Sequence, residues 1–242
     1  MSDVTAPPTK SALHRLSTPR AAALAGVLFA VIFGTALVLV RSALPETPQT
    51  GTQWVDAGSA RIKIAAVLIP FAGMTFLWFI GVVRDGFGRL EDRFFASVFI
   101  GSGLLFLAMT FAWAAVGTAL VHSAAVTTDP TVHADIAMFG QGLLLTLSQT
   151  YALRMAAVFM ISLATIWLRT GLMPRWLVAT TYALAVLLML ASELSMWITL
   201  VFPLWVLAVS LLLLFRAGVL GLHIDHQPDT TMDRHKPRGF NG

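Results

Sequence analysis

Residues 176–215 read WLVATTYALAVLLMLASELSMWITLVFPLWVLAVSLLLLF, an apolar run between Arg175 and Arg216 in which Glu193 is the one acid. About 20 helical residues cross a hydrocarbon core about 30 Å thick. The run is therefore about twice as long as one crossing requires, and a single helix would project far out of the lipid. Two helices joined by a tight hairpin around Ala191–Ser195 account for it, with spans at Trp176–Ala191 and Met196–Phe215. Working outward by the same rule, charge-bounded apolar segments lie at Ala21–Val40, Ile64–Val83, Phe95–Val121 and Leu143–Leu168. The expected fold is all-α: a polytopic transmembrane bundle of six spans.

Composition agrees. Of 242 residues, 57% are hydrophobic and 12% charged, and the mean hydropathy is +0.79. A soluble domain carries about twice that charge, and disorder requires low hydrophobicity. The net charge of +4 would point to nucleic acid only if basic residues formed a stripe interleaved with aromatics. They are scattered over loops and tails instead, so no nucleic-acid partner is expected. The chain has no cysteine, which excludes disulfides, thiolate nucleophiles and cysteine-held metals.

Lysine and arginine in short flanking loops set orientation. With a cytoplasmic N-terminus, the inner side holds Lys10, Arg15, Arg20, Arg84, Arg89, Arg93, Arg169, Arg175, Arg216, Arg234, Lys236 and Arg238. The outer side holds only Arg41, Arg61 and Lys63. Both termini are thus expected inside. Trp167 and Trp176 near the inner Arg169–Arg175 turn, and Trp113 and Trp197 near outer ends, fit interfacial belts. The N-terminal apolar stretch is too long for the core of a cleavable signal, so it reads as a retained span. The expected organisation is a tail over 1–20, a membrane domain over 21–216 and a second tail over 217–242. The outer loop Ser42–Ala60 reads as irregular, from its Pro, Gly, Ser and Thr content.

Arg154 is the first candidate for function, because a permanent charge inside an apolar span is expensive. At about 1.5 Å per residue, it lies about 22 Å above Arg169, in the outer third of the bilayer. The run Ser148-Gln149-Thr150-Tyr151 lies just beyond it, and residues three and four apart share a helix face. Two readings are open: an outward contact for an anion or headgroup through Arg154, Tyr151 and Gln149, or a structural arginine. Glu193 falls at a similar depth, about 27 Å above Arg175, and is the expected bidentate partner of Arg154.

Other features carry less chemistry. No Asp, Glu or His falls at mid-depth in a span, as a proton relay would need. Neither His122, Asp129, His133 and Asp135 in the third outer region nor His223, Asp225 and His226 in the tail has a fixed metal-site spacing. Both groups read as solvated, with no metal, cofactor or catalytic residue expected, and none of the usual nucleotide, serine-hydrolase or zinc-protease signatures appears. Pro70 removes a helical hydrogen bond and Gly73 follows it, which makes them the candidate hinge. Gly101, Ala108, Ala112, Ala115 and Ala119 form a small-residue face on the third helix, the pattern of close helix packing.

The stretches FLWFIGVVRDGFGRLEDRFFASVFIGSGLLF, YALRMAAVFMISLATIWLRTGLMPRWL and LVFPLWVLAVS resemble a family of uncharacterised bacterial integral membrane proteins of about six helices. The similarity spans most of Ile64–Leu213. It implies the same bundle and, for Arg154, membership of a recurring motif, and it brings no activity; the expected location is a bacterial inner membrane. The expected role is an accessory or scaffold component of an inner-membrane assembly, with lipid and other subunits as partners. The alternative is a carrier or binder of a small or lipid-like solute at the outward patch around Arg154. No catalytic constellation supports an enzyme.

Overall fold

The computed structural model describes residues 18–44, 53–85, 93–191 and 195–224. Seven α-helices follow in order: α1 (Thr18–Arg41), α2 (Gln53–Asp85), α3 (Arg93–Val126), α4 (Pro130–Leu145), α5 (Leu153–Thr170), α6 (Arg175–Ala191) and α7 (Val201–Ile224). A π-helical turn, Thr146–Ala152, joins α4 to α5, and a 3-10 turn, Met196–Leu200, leads into α7. No strand occurs among the described residues. A helix satisfies its backbone hydrogen bonds within one segment, which hydrocarbon demands.

Five described helical segments are long and apolar enough to cross a membrane: Ala23–Arg41, Ala57–Asp85, Phe94–Val126, Pro130–Thr170 and Trp197–Phe215. This is the architecture of a multi-pass membrane protein. The sixth apolar helix is shorter; α6 has 17 residues, about 26 Å of rise against a core of about 30 Å. The break between α6 and the 3-10 turn falls where the hairpin was expected.

Helix ends follow local chemistry. The Asp129 carboxylate accepts from the Thr131 backbone N–H at 2.9 Å and from its hydroxyl at 2.6 Å, with Pro130 at the first helical position. This is the side-chain cap that an unsatisfied N-terminus requires. Hydrogen bonds from the Thr131 hydroxyl and then its backbone hold the Asp129 carboxyl below the usual range. Its contribution is therefore present at neutral pH and lost as acid protonates the carboxylate below the ordinary aspartate range. Hydrogen exchange at the Thr131 and Val132 amides is expected to accelerate on acidification relative to mid-helix amides; Asp129→Ala should bring that fraying to neutral pH. At the other end of this segment, α5 stops at Gly171, φ +66°, whose N–H donates to the Trp167 carbonyl at 3.0 Å. That left-handed position favours glycine.

Two outer regions are more helical than their composition implied. α2 begins at Gln53, inside the supposed irregular loop. His122 lies on α3, while His133 and Asp135 lie on α4, not in a loop. The Asp129–Pro130 cap starts that helix well before the span expected from Leu143, and α4, the π turn and α5 run on as one 41-residue segment.

The centre is aromatic. Phe76 of α2 has ring centroids at 4.6 Å from Phe29 of α1, 5.4 Å from Phe106 of α3, 5.3 Å from Phe159 of α5 and 5.9 Å from Phe202 of α7. Five helices thus meet on one ring, and aromatic pairs at these separations attract beyond simple contact. α6 is tied on by polar pairs: the Trp205 indole N–H donates to the Thr181 hydroxyl at 3.0 Å, and the Thr165 and Tyr182 hydroxyls lie 2.6 Å apart.

Several face assignments differ from the sequence reading. Trp176 and Trp197 are exposed, whereas Trp113 and Trp167 are buried in the bundle, where no interfacial belt residue can lie. α2 continues as one helix through Pro70. At Gly73 an added Cβ would fall on the ring of Phe111 in α3, so this glycine seats a neighbouring helix. On α3, the small face turns outward: Ala108, Ala115 and Ala119 are exposed, and a Cβ at Gly101 would meet nothing within 4 Å. The described helices therefore leave much of this face open.

Candidate functional site

The polar run before Arg154 lies in the π turn, and the wider turn separates its members. Ser148 is buried and points inward, Gln149 and Thr150 are half-buried, and Tyr151 is exposed. Arg154, the second residue of α5, is half-buried. Tyr151 thus reaches the surface, while Gln149 and Arg154 are partly covered. Glu193, the expected partner, lies outside the described residues, as do the 1–17 tail, residues 45–52 and 86–92, and the tail from 225.

The buried charge is a different one. Arg41 closes α1 and is 3% exposed. Its Nη2 donates to the Ser148 Oγ at 3.0 Å, and that hydroxyl in turn donates to the Leu144 carbonyl at 2.9 Å. Arg41 Nε and Nη1 are buried with no hydrogen-bond partner among the described residues. The π turn makes this contact possible, because its extra residue per turn swings Ser148 into the bundle; such turns recur at functional sites. Beside it, Arg61 of α2 donates to the Ser42 carbonyl at 2.7 Å, bracing the end of α1.

Ser148 also lines a small internal cavity of about 20 Å³ with Thr110, Trp113 and Thr199 among Phe33, Phe106 and Phe202. Trp113 Nε1 is itself closed off and has no acceptor among the described residues, while the Thr110 hydroxyl donates to the Phe106 carbonyl at 2.8 Å. Gln141 of α4 is fully buried on the same body. The cavity is walled by rings and its open surface is almost wholly apolar. Among the described residues, no group of three or more His, Asp or Glu side chains could hold a metal ion.

Arg41 was missed in the sequence because a charge closing an apolar run reads as an orientation signal. Its partner is 107 residues away, and no local pattern announces that contact. The one available hint was Ser148 itself, the first member of the polar run Ser148-Gln149-Thr150-Tyr151.

No protein-family model, curated protein or solved structure matches this chain. The class defined by the fold is an all-helical protein with five helices of membrane-crossing length.

Proposed function

We propose that the chain is an accessory or scaffold component of a larger assembly in a bacterial inner membrane, with six spans, both termini cytoplasmic and α3 as its contact helix. The resemblance to a six-helix bacterial family belongs to the same proposal. The observation that carries it is the outward face of α3. Gly101, Leu105, Ala108, Ala112, Ala115 and Ala119 recur at alternating spacings of four and three residues, the period of two helices wound around each other. Lipid is as apolar as leucine, so helices associate in it where small side chains let backbones approach. Among the described residues, Leu105, Ala108, Ala115 and Ala119 on that face are exposed, and a Cβ at Gly101 would meet nothing within 4 Å. The basic excess of the inner loops supports the orientation, and the polar ties of α6 to α5 and α7 support its place as the sixth span.

Extraction of the tagged protein from its native membrane into lipid nanodiscs, with mass and co-purifying chains read together, tests this. Stoichiometric other subunits are expected, and Ala108→Leu with Ala115→Leu should reduce their recovery about tenfold or more, a change of about 1.4 kcal/mol, without lowering the thermal transition. A homogeneous particle of this chain alone overturns the reading. It would favour the alternative, solute binding at the outward patch, which rests on the exposure of Tyr151 beside half-buried Gln149 and Arg154.

A further inference from the structure

We infer that α1 and α7 form a groove for one acyl chain of a membrane phospholipid, whose headgroup phosphate is held by Arg61 at the mouth. The site rests on α1, α2 and α7 and is independent of the α3 face. Its shape comes from the way α1 and α7 cross. At Gly26 an added Cβ would collide with Ser210 Oγ, so the two helices touch there. Two turns further along α1 they have parted, and a Cβ at Gly34 would meet nothing within 4 Å. The space between them is a groove of about 440 Å³ whose surface is almost wholly apolar. It runs from Ala30 to Leu39 on α1, and from Leu207 of α7 back to Leu200 in the 3-10 turn.

Length and depth match a lipid chain. The helix from Ala30 to Leu39 rises about 14 Å, close to half of a hydrocarbon core about 30 Å thick. The groove lies in the half that ends at Arg41, and the Gly26–Ser210 crossing closes it below, so it is one leaflet deep. A partner helix would need a matching face through both leaflets, and this opening stops midway.

The mouth carries the charge. The Ser42 N–H donates to the Val38 carbonyl at 2.9 Å and its hydroxyl to the Leu39 carbonyl at 2.9 Å. Ser42 therefore continues the turn of α1 that ends the groove. Arg61 Nη1 donates to the Ser42 carbonyl at 2.7 Å, which sets the guanidinium about one helical turn beyond Val38 and Leu39. Arg61 is exposed, and the Ser42 bond uses one of the five donors of a guanidinium. On the α7 side, Trp197 is exposed and stands three residues before Leu200. Side chains three apart eclipse in a 3-10 turn, so the indole caps the same wall, at the level where tryptophan meets headgroups. An apolar slot one leaflet deep with a cation at its mouth is complementary to a phospholipid, and most of all to one of net negative charge.

Native mass spectrometry of the full-length protein in lipid-free detergent, titrated with phosphatidylglycerol or phosphatidylcholine, is the test. One equivalent of either lipid is expected to bind saturably, with phosphatidylglycerol favoured about fivefold. Glycerol phosphate, which has the headgroup charge and no chain, should not bind. Gly34→Leu fills the groove and should weaken binding about tenfold or more. Gly81→Leu, at another glycine where a Cβ meets nothing, should leave it unchanged. Arg61→Gln should erase the preference for phosphatidylglycerol, and Arg61→Lys should retain it. The thermal transition without lipid reports whether Gly34→Leu folds; if it does not, Leu204→Trp, on an exposed residue of α7, fills the same groove. A wild-type protein with no adduct beyond a random distribution overturns the proposal, as does an adduct unchanged in the filled-groove variant. So does a lipid preference untouched by Arg61→Gln. A lipid-free dimer that Gly34→Leu dissociates also overturns it, since a second copy would then occupy the groove.

Discussion

Phe76→Ala is expected to destabilise the bundle by about 3 kcal/mol, whereas Phe71→Ala on the same helix should change stability by less than about 0.5 kcal/mol. Phe76 is fully buried and Phe71 is 53% exposed. In a water-soluble core, truncating phenylalanine costs about 3–5 kcal/mol, part of it the transfer of the ring out of water. Here the unfolded helices stay in lipid, so most of that transfer term cancels. What remains is the cavity and the loss of contacts with Phe29, Phe106, Phe159 and Phe202, each ring pair contributing about 0.5–1.5 kcal/mol. Reversible unfolding in mixed micelles, with both variants side by side, measures the difference. Equal effects at the two positions would mean that α2 presents a different face to the bundle.

Gly26→Val is the second large effect, about 3 kcal/mol of overpacking. A Cβ at Gly26 of α1 would collide with Ser210 Oγ of α7 and would lie 2.8 Å from Cδ2 and 3.0 Å from Cε2 of Phe79 in α2. Two neighbouring helices close on this glycine, and Phe79 is itself fully buried. Gly34→Val, two turns along α1, is the control. A Cβ there meets nothing within 4 Å, because Gly34 lines an open groove between α1 and α7; its effect should stay within about 0.5 kcal/mol. Ser210→Gly should recover part of the loss in Gly26→Ala by removing the first obstacle, and leave the Phe79 contact unrelieved. If Gly26→Val and Gly34→Val unfold alike in the same micelle titration, the α1–α7 crossing is misplaced.

The contrast between Gly26 and Gly34 illustrates what could be read in the sequence. Both are glycines in one apolar run, eight residues apart, and nothing local separates the buried one from the open one. The same holds for Phe71 and Phe76, and for Trp113 and Trp197. Where the environment on both sides of a helix is apolar, the period of hydrophobicity that reveals an inward face in a soluble protein is faint.

The sequence by itself determined the existence and approximate bounds of the apolar helices, because a bilayer demands a minimum run of uncharged residues and a self-satisfied backbone. It also determined the break near Ala191–Ser195, where a run about twice the needed length carried Glu193 at its middle. The capping chemistry at Asp129–Pro130 and at Gly171 was likewise written locally. Tertiary structure alone decided that Arg41 is buried on Ser148, that the small face of α3 looks outward and that five helices meet on Phe76. The reason is physical: hydrocarbon and protein interior are nearly the same solvent to a leucine or an alanine. Inside and outside are therefore distinguished by shape and by the few polar atoms that need partners, and those partners are far apart along the chain.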